Sequence, residues 1–314
     1  MSGAAVLAGR ARRAAVLAGV ALVVVYTALI AGADAITKLV GGGYAAPQMY
    51  CLSGLMVMGL SILADRHPRQ RRGLATRCPR AMALRAGATV IAAVSFFQAF
   101  RLLPFADVFL FIALMPILAG LMSGPILREH ARPAAWVALA AGAVGVMCLF
   151  PAGLKSVSAG HAYALMASIS GTFSMIMARF IGRYESNALA QVFYPNMAVF
   201  VVMALALPFV WVPMRGADLG WIAGYALLLF AARWLLVVAL RLLAAYAVTP
   251  LMNLQFIWMV VLGALGFGEW PGPGTYLGVA ILIASGAYLV WDQVVPQGVR
   301  WGRSGLLGNV KTDA

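Results

Sequence analysis

The chain consists of long apolar runs separated by short polar segments. A helix that crosses a hydrocarbon core needs about 20 residues, and each run is long enough to form one. The longest polar stretch is a basic loop around residues 65–85, so no separate soluble domain is expected. We predict an all-α integral membrane protein with ten transmembrane helices, at approximately 14–36, 45–64, 82–100, 104–127, 134–152, 159–179, 188–210, 218–240, 244–267 and 274–292.

The second half of the chain repeats the first at an offset of 140 residues. The matching pairs include Arg101/Arg241, Leu114/Leu254, Ile117/Ile257, Glu129/Glu269 and Pro133/Pro273. Because each repeat holds five predicted helices, an odd number, the second repeat is expected to be inverted in the membrane. Such duplication is typical of secondary transporters, whose site lies where the repeats meet. The predicted boundaries are 1–155 for the first repeat, 156–296 for the second and 297–314 for a cytoplasmic tail.

Composition excludes a soluble protein. Hydrophobic residues make up 63% of the chain and charged residues 10%, whereas a soluble domain has about 25% charged residues. Most lysines and arginines, with Arg85 counted among those of the loop after the second helix, fall on one side of the predicted topology. The opposite side has only Lys38, Arg101, Lys155 and Arg215. The positive-inside rule then places both termini in the cytoplasm of a bacterial inner membrane, and the net charge of +14 does not imply nucleic acid.

The N-terminus imitates a secretory signal peptide. Arg12 and Arg13 precede an apolar run that ends in the small residues Ala31-Gly32-Ala33. Cleavage there would leave nine helices and break the symmetry of five and five. We therefore expect the segment to remain as the first transmembrane helix.

The sequence contains no recognisable catalytic or metal-binding motif. The cysteines Cys51, Cys78 and Cys148 have no disulfide or metal spacing. No HExxH, GxSxG or glycine-rich phosphate loop is present. We expect no enzyme activity, no cofactor and no metal.

The order and spacing of several residues around the repeat boundaries resemble the drug/metabolite transporter superfamily, EamA type. The residues that carry the resemblance are Phe100 to Pro104, Pro116, Arg128-Glu129, Gly142 and Gly145, and then Ala239 to Arg241, Pro250, Gly268-Glu269, Gly278 and Ser285-Gly286. Asp34 to Lys38 and the Leu254-Gln255 to Trp258 pattern lean toward the branch similar to S-adenosylmethionine uptake carriers. The resemblance implies a ten-helix carrier of two inverted repeats with a central cavity between them.

Arg233 is the sharpest candidate for a functional residue. It lies inside the eighth predicted helix, where a charged side chain costs about 2.5–3.5 kcal/mol on insertion scales. One interpretation is a cavity cation that meets an anionic group of a substrate or a counter-charge. The alternative is a side chain that extends along its own stem to lipid phosphate.

Asp34 and Lys38 are one helical turn apart near the outer end of the first helix. They can pair with each other as a structural ion pair. A gate or a substrate contact is the other interpretation, and the sequence leaves both open.

Further candidates for substrate binding are amide and aromatic residues inside the predicted helices. Each could instead form a hydrogen bond between helices, worth about 0.6 kcal/mol. The set consists of Gln98, Gln191, Tyr194, Asn196, Tyr246, Asn253, Gln255 and Trp258.

These observations together predict a secondary transporter that moves a small amphipathic metabolite, such as an amino acid or a nucleoside-like compound, by alternating access. The alternative is a non-transporting membrane protein, either a lipid-linked enzyme or an assembly scaffold. The expected partners are the metabolite and membrane lipid, nucleic acid is excluded, and a homodimer is left open.

Overall fold

The fold is known from a computed structural model that describes residues 3–40, 43–67, 73–102, 111–112, 114–129, 158–243 and 251–268, with isolated residues elsewhere. The fifth and tenth predicted helices fall almost wholly outside these ranges. Within the described residues 86% are helical and none is in a strand, which confirms the all-α class.

Eight α-helices are described. The six long ones are α1 (Gly3–Val40), α2 (Ala46–Asp65), α3 (Pro79–Leu102), α5 (Ala159–Tyr184), α6 (Ala188–Ala206) and α7 (Gly216–Leu242). Two shorter ones are α4 (Met115–Leu127) and α8 (Gln255–Phe267), and a 3₁₀ turn at Leu207–Phe209 extends α6. Each of the six long helices contains a stretch long and apolar enough to cross a membrane.

Local signals explain where the helices begin. Asn187 caps α6, since its side-chain oxygen accepts a hydrogen bond from the N–H of Ala190 at 3.2 Å. The N–H of Ser158 donates to Nδ1 of His161 at 3.0 Å, which ties the chain to the first turn of α5. Prolines in the first turns of α2 and α3 lack an N–H at positions where a helix has no acceptor for it.

The helices pair in a regular pattern. α1 packs on α7, α3 packs on α5, and α2 packs on α6. α3 also contacts α6, α2 contacts α7, α1 contacts α8, and α4 contacts α5. Apolar side chains fill these contacts in two main clusters. One contains Val23, Leu127, Ile176 and Leu240, and the other lies around Val57.

α4 and α8 have the same length and end in the same way. Their bounds differ by 140 residues at both ends. Each is followed by a residue in the left-handed conformation, Arg128 with φ 54° and Gly268 with φ 69°. A glycine is the usual residue at such a helix end because it carries no Cβ.

The ninth predicted helix is not continuous in the structure. Residues 253 and 254 form a turn, and α8 begins only at Gln255. The N–H of Phe256 donates to the carbonyl of Asn253 at 3.0 Å, and that of Ile257 to Leu254 at 3.0 Å. These bonds span three residues instead of the four of an α-helix, which is the tighter 3₁₀ geometry. Asn253, which was predicted to lie inside the ninth helix, therefore lies in a turn.

Large apolar side chains face outward along the helices. Leu63 is 64% exposed, Leu205 72% and Leu265 79%. Apolar surface of this extent would be unstable in water and fits the hydrocarbon core of a bilayer. With the six long helices, it indicates a multi-pass membrane protein.

Polar contacts join the ends of the helices on two sides. On one side the Tyr44 hydroxyl donates to Asp218 at 2.6 Å, which raises the pKa of Tyr44, and Gln48 bonds the backbone of Val212. On the other side Glu129 forms ion pairs with Arg179 and Arg183.

Further polar contacts lie on the same side as the ion pairs of Glu129. Glu185 accepts hydrogen bonds from the Thr76 hydroxyl at 3.0 Å and from the N–H of Arg77 at 2.6 Å. Asn187 donates to the carbonyl of Gly73 at 2.6 Å. The loop before α3 is therefore held against the segment between α5 and α6.

Candidate functional site

A cavity of about 310 Å³ lies among the helices, and its wall is drawn from both halves of the chain. α1, α2 and α3 of the first half contribute to it, as do α5, α6, α7 and the turn before α8 of the second. This volume is at the lower end of the range for small-molecule sites.

Arg233 lines the cavity from α7. Its Nη1 donates to Oδ1 of Asn196 on α6 at 2.8 Å. The Nδ2 of Asn196 donates in turn to the carbonyl of Val192 at 2.7 Å, and Asn196 is 2% exposed. The carbonyl contact fixes which end of the amide faces Arg233. The two predicted site residues are thus joined directly.

Asp34 and Gln255 meet across the two halves. Nε2 of Gln255, the first residue of α8, donates to Oδ2 of Asp34 on α1 at 2.7 Å. Both side chains line the cavity, and Asn253 in the preceding turn lines it too. The Lys38 side chain and Tyr246 lie outside the part of the chain that the structure describes.

Arg85 is the main site residue that the sequence analysis missed. It was counted with the basic loop, but it lies inside α3, is 8% exposed and lines the cavity. Its Nη1 donates to Oε1 of Gln191 on α6, a residue 1% exposed that also lines the cavity. Its position two turns into an apolar helix was the available signal.

The backbone around Arg85 is fixed by two hydroxyl side chains. The Thr89 hydroxyl donates to the carbonyl of Arg85 at 2.9 Å and lies 2.7 Å from the hydroxyl of Ser174 on α5. This contact joins α3 to α5 one turn after Arg85.

Three tyrosines on three helices also line the cavity, and the sequence analysis had not selected them. They are Tyr26 on α1, Tyr50 on α2 and Tyr225 on α7. Each presents an apolar ring with a polar hydroxyl at its tip, which suits an amphipathic ligand. Phe96 and Leu229 add apolar wall.

Three predicted site residues are not among the described residues that line the cavity. Trp258 donates from Nε1 to the Thr27 hydroxyl at 3.1 Å and so ties α8 to α1. Tyr194 packs beside Met82 and Ile181. Gln98 is half-buried further along α3.

The charged residues of the cavity are not paired with one another in the described part of the chain. Arg85 and Arg233 each donate to an amide, and the Asp34 carboxylate accepts from an amide. Two guanidinium groups and one carboxylate leave the described lining with a net positive charge. Electrostatically, the cavity favours an anionic group on a small molecule. Elsewhere in the described ranges no three His, Cys, Asp or Glu side chains form a group that could hold a metal ion.

Comparisons with known proteins give a fold but no family. The chain matches none of the protein-family models and none of the curated proteins with which it was compared. A solved structure described only as the crystal structure of a protein superposes with a TM-score of 0.70 over 87% of this chain and 95% of that chain. At 18% identity this similarity shows a shared fold alone.

Proposed function

We propose that the chain is a secondary transporter of the drug/metabolite type, with ten transmembrane helices in two inverted repeats and both termini in the cytoplasm. It moves a small amphipathic metabolite across a bacterial inner membrane by alternating access. The observation that carries the proposal is the cavity between the two halves, in which three charged residues lie among apolar helices. Charged residues at bilayer depth are costly and mark substrate pathways.

The helix pairing supports the duplication. Exchanging α1 with α5, α2 with α6, α3 with α7 and α4 with α8 converts the α1–α7 pair into α5–α3 and the α1–α8 pair into α5–α4. It also converts α3–α6 into α7–α2 and returns α2–α6 to itself. All these pairs are observed, as expected for two halves related by a two-fold axis.

The residues that line the cavity are less symmetric than the pairing of the helices around it. Arg85 and Tyr225 are 140 residues apart, as are Ala93 and Arg233, and all four line the cavity. Each repeat therefore contributes one cation, from a different position of its third helix. Symmetric helix pairing fits a carrier in which one repeat rocks against the other. An asymmetric lining fits the binding of an asymmetric substrate.

An alternating-access carrier opens first to one side of the membrane and then to the other. The polar contacts on the two sides are those that such a carrier breaks in turn. Tyr44–Asp218 and Gln48–Val212 join segments assigned to the outer side. Glu129–Arg179 and Glu185–Thr76 join segments assigned to the cytoplasmic side. Each pair links the two halves of the chain.

The first prediction tests transport and the role of Arg233 together. Purified protein in liposomes should accelerate the saturable uptake of at least one compound from a panel of radiolabelled amino acids, nucleosides and small carboxylates. Arg233→Ala should abolish that uptake without loss of folded protein. Arg233→Lys should restore little, because an ammonium does not reproduce the planar fork of a guanidinium.

Arg66→Ala is the matched control, since Arg66 is an exposed cation at the end of α2. It should leave uptake unchanged. Near wild-type uptake by the Arg233→Lys variant would remove Arg233 from the site. No uptake of any compound by well-folded wild-type protein would favour the non-transporting alternative.

A further inference from the structure

We propose that Arg85 and Gln191 form a carboxylate-binding subsite, so that the ligand of the cavity is a small organic monocarboxylate. The inference deepens the proposed function and rests on it for the location of the substrate. It concerns Arg85 on α3 and Gln191 on α6, a different pair from Arg233 and Asn196.

Two donor atoms of this pair have no acceptor in the described part of the chain. Arg85 Nε and Gln191 Nε2 are buried, and neither has a hydrogen-bond partner among the described residues. Arg85 is 8% exposed and Gln191 1%, and both line the cavity. Buried polar groups in native proteins nearly always have partners. Two buried N–H donors without an acceptor, on side chains that line the cavity, fit a ligand that supplies the acceptors.

The hydrogen bond between Arg85 and Gln191 fixes the orientation of the amide. Arg85 Nη1 donates to Oε1 of Gln191, which directs this oxygen toward the guanidinium and occupies one of its two lone pairs. The buried groups of the pair that lack a partner within the described ranges are both donors. Two unpartnered donors are complementary to a carboxylate, which accepts through two oxygens, and do not suit an ammonium group.

The charges of the lining also favour an anion. Within the described part of the chain, Arg85 has only a neutral amide as its side-chain partner, and the described lining holds two guanidinium groups and one carboxyl group. A ligand with a negative charge reduces this excess of cations. The tyrosines and Phe96 supply apolar wall for the rest of such a molecule.

Binding can be measured without transport. Purified wild-type protein is titrated with benzoate, phenylacetate and 4-methyl-2-oxopentanoate, each paired with its carboxamide at equal ionic strength and pH. A ligand that binds only the folded form raises the melting temperature. At least one carboxylate should raise it in a saturable way, and its carboxamide should not. Arg85→Gln should weaken the binding of that carboxylate about tenfold or more.

Two further variants separate binding from a structural role. Gln191→Glu supplies a carboxylate beside Arg85 from the protein itself, so it should fold stably and lose the response to the carboxylate ligand. Arg80→Gln removes a cation from an exposed position at the start of the same helix, and it should keep the full response. A structural role for Arg85 alone would lower the melting temperature of Arg85→Gln but leave the binding constant of the folded protein unchanged.

The inference is overturned if carboxamides bind as well as carboxylates, if no carboxylate binds, or if Arg85→Gln binds with wild-type affinity. Uptake of an uncharged compound without carboxylate binding would leave the transporter proposal standing and remove the subsite. Carboxylate binding that depends on Arg85, in a protein that carries no flux in liposomes, would keep the subsite and remove transport.

Discussion

At the scale of single residues, the two halves of the chain place different amino acids in the same left-handed backbone conformation. Arg128 and Gly268 follow equivalent helices, and both have a positive φ. An L-residue in the left-handed region brings its Cβ close to the following carbonyl, at a cost of about 1–2 kcal/mol, which glycine avoids. Arg128 is therefore strained where Gly268 is not.

This difference predicts that substitutions at the two positions change the stability of the protein in opposite directions. Arg128→Gly should stabilise the protein by about 0.5–1 kcal/mol, since the relief of strain exceeds the greater chain entropy of glycine. Gly268→Arg should destabilise it by about 1 kcal/mol. Thermal unfolding in detergent measures both. Arg128→Ala removes the charge and keeps the strain, so a gain as large as that of Arg128→Gly would attribute the effect to charge instead.

The same scale shows which site residues sequence reasoning can find. Arg233, Asn196, Asp34 and Gln255 stand out as polar residues in apolar runs, and the structure brings them to one cavity. Arg85 was missed because it is the last of the basic residues that the sequence analysis assigned to the loop after the second predicted helix. A count of charges does not record burial, which depends on the helices packed around α3.

At the scale of helices, close approach depends on glycine at particular positions. A Cβ on Gly19 of α1 would lie 2.7 Å from Cγ of Leu243, just after α7. One on Gly54 of α2 would lie 3.3 Å from the carbonyl oxygen of Asn196 beside the cavity. Small residues at such contacts let helix backbones approach in a membrane, where packing drives association. By contrast, nothing lies within 4 Å of a Cβ built on Gly59.

Gly19→Ala and Gly59→Ala are therefore expected to change stability in opposite directions. The first should destabilise by about 1–3 kcal/mol because Leu243 must shift in a packed contact. The second should stabilise by about 0.5–1 kcal/mol, since alanine is the better helix former and meets no neighbour. Melting temperatures of the two variants in the same detergent compare them. Equal effects would show that helix propensity, and not packing between α1 and α7, determines the outcome.

The extent of helices was easier to predict than their interruptions. Runs of apolar residues located all six long helices, because length and hydropathy alone determine whether a segment can span a bilayer. The turn at Asn253 and Leu254 was not predicted, since hydropathy is the same on both sides of it. The contact of Trp258 with Thr27 was also missed, because spacing along one helix does not specify which neighbouring helix a side chain meets.

At the scale of the whole molecule, the charge distribution and the contacts between loops each indicate which loops lie on the same side of the membrane. The asymmetry of lysine and arginine assigns each loop to a side of the membrane. The contacts between loops, such as Tyr44–Asp218 and Glu185–Thr76, join segments that this assignment places on the same side. These contacts are those expected if the second repeat is inverted, as proposed.

The proposed inverted topology leads to the last prediction. Reporter fusions after Lys155 and after Glu269 should report the outer compartment, and fusions at Arg77 and after Lys311 should report the cytoplasm. The decisive pair is Arg101 and Arg241, which have the same position in the two repeats. Because five helices separate equivalent positions, Arg101 should lie outside and Arg241 inside. Paired fusions to alkaline phosphatase, active outside, and to a fluorescent protein, active inside, measure each site twice. Arg101 and Arg241 on one side of the membrane would contradict the inverted repeat, and with it a carrier whose halves exchange roles across the bilayer.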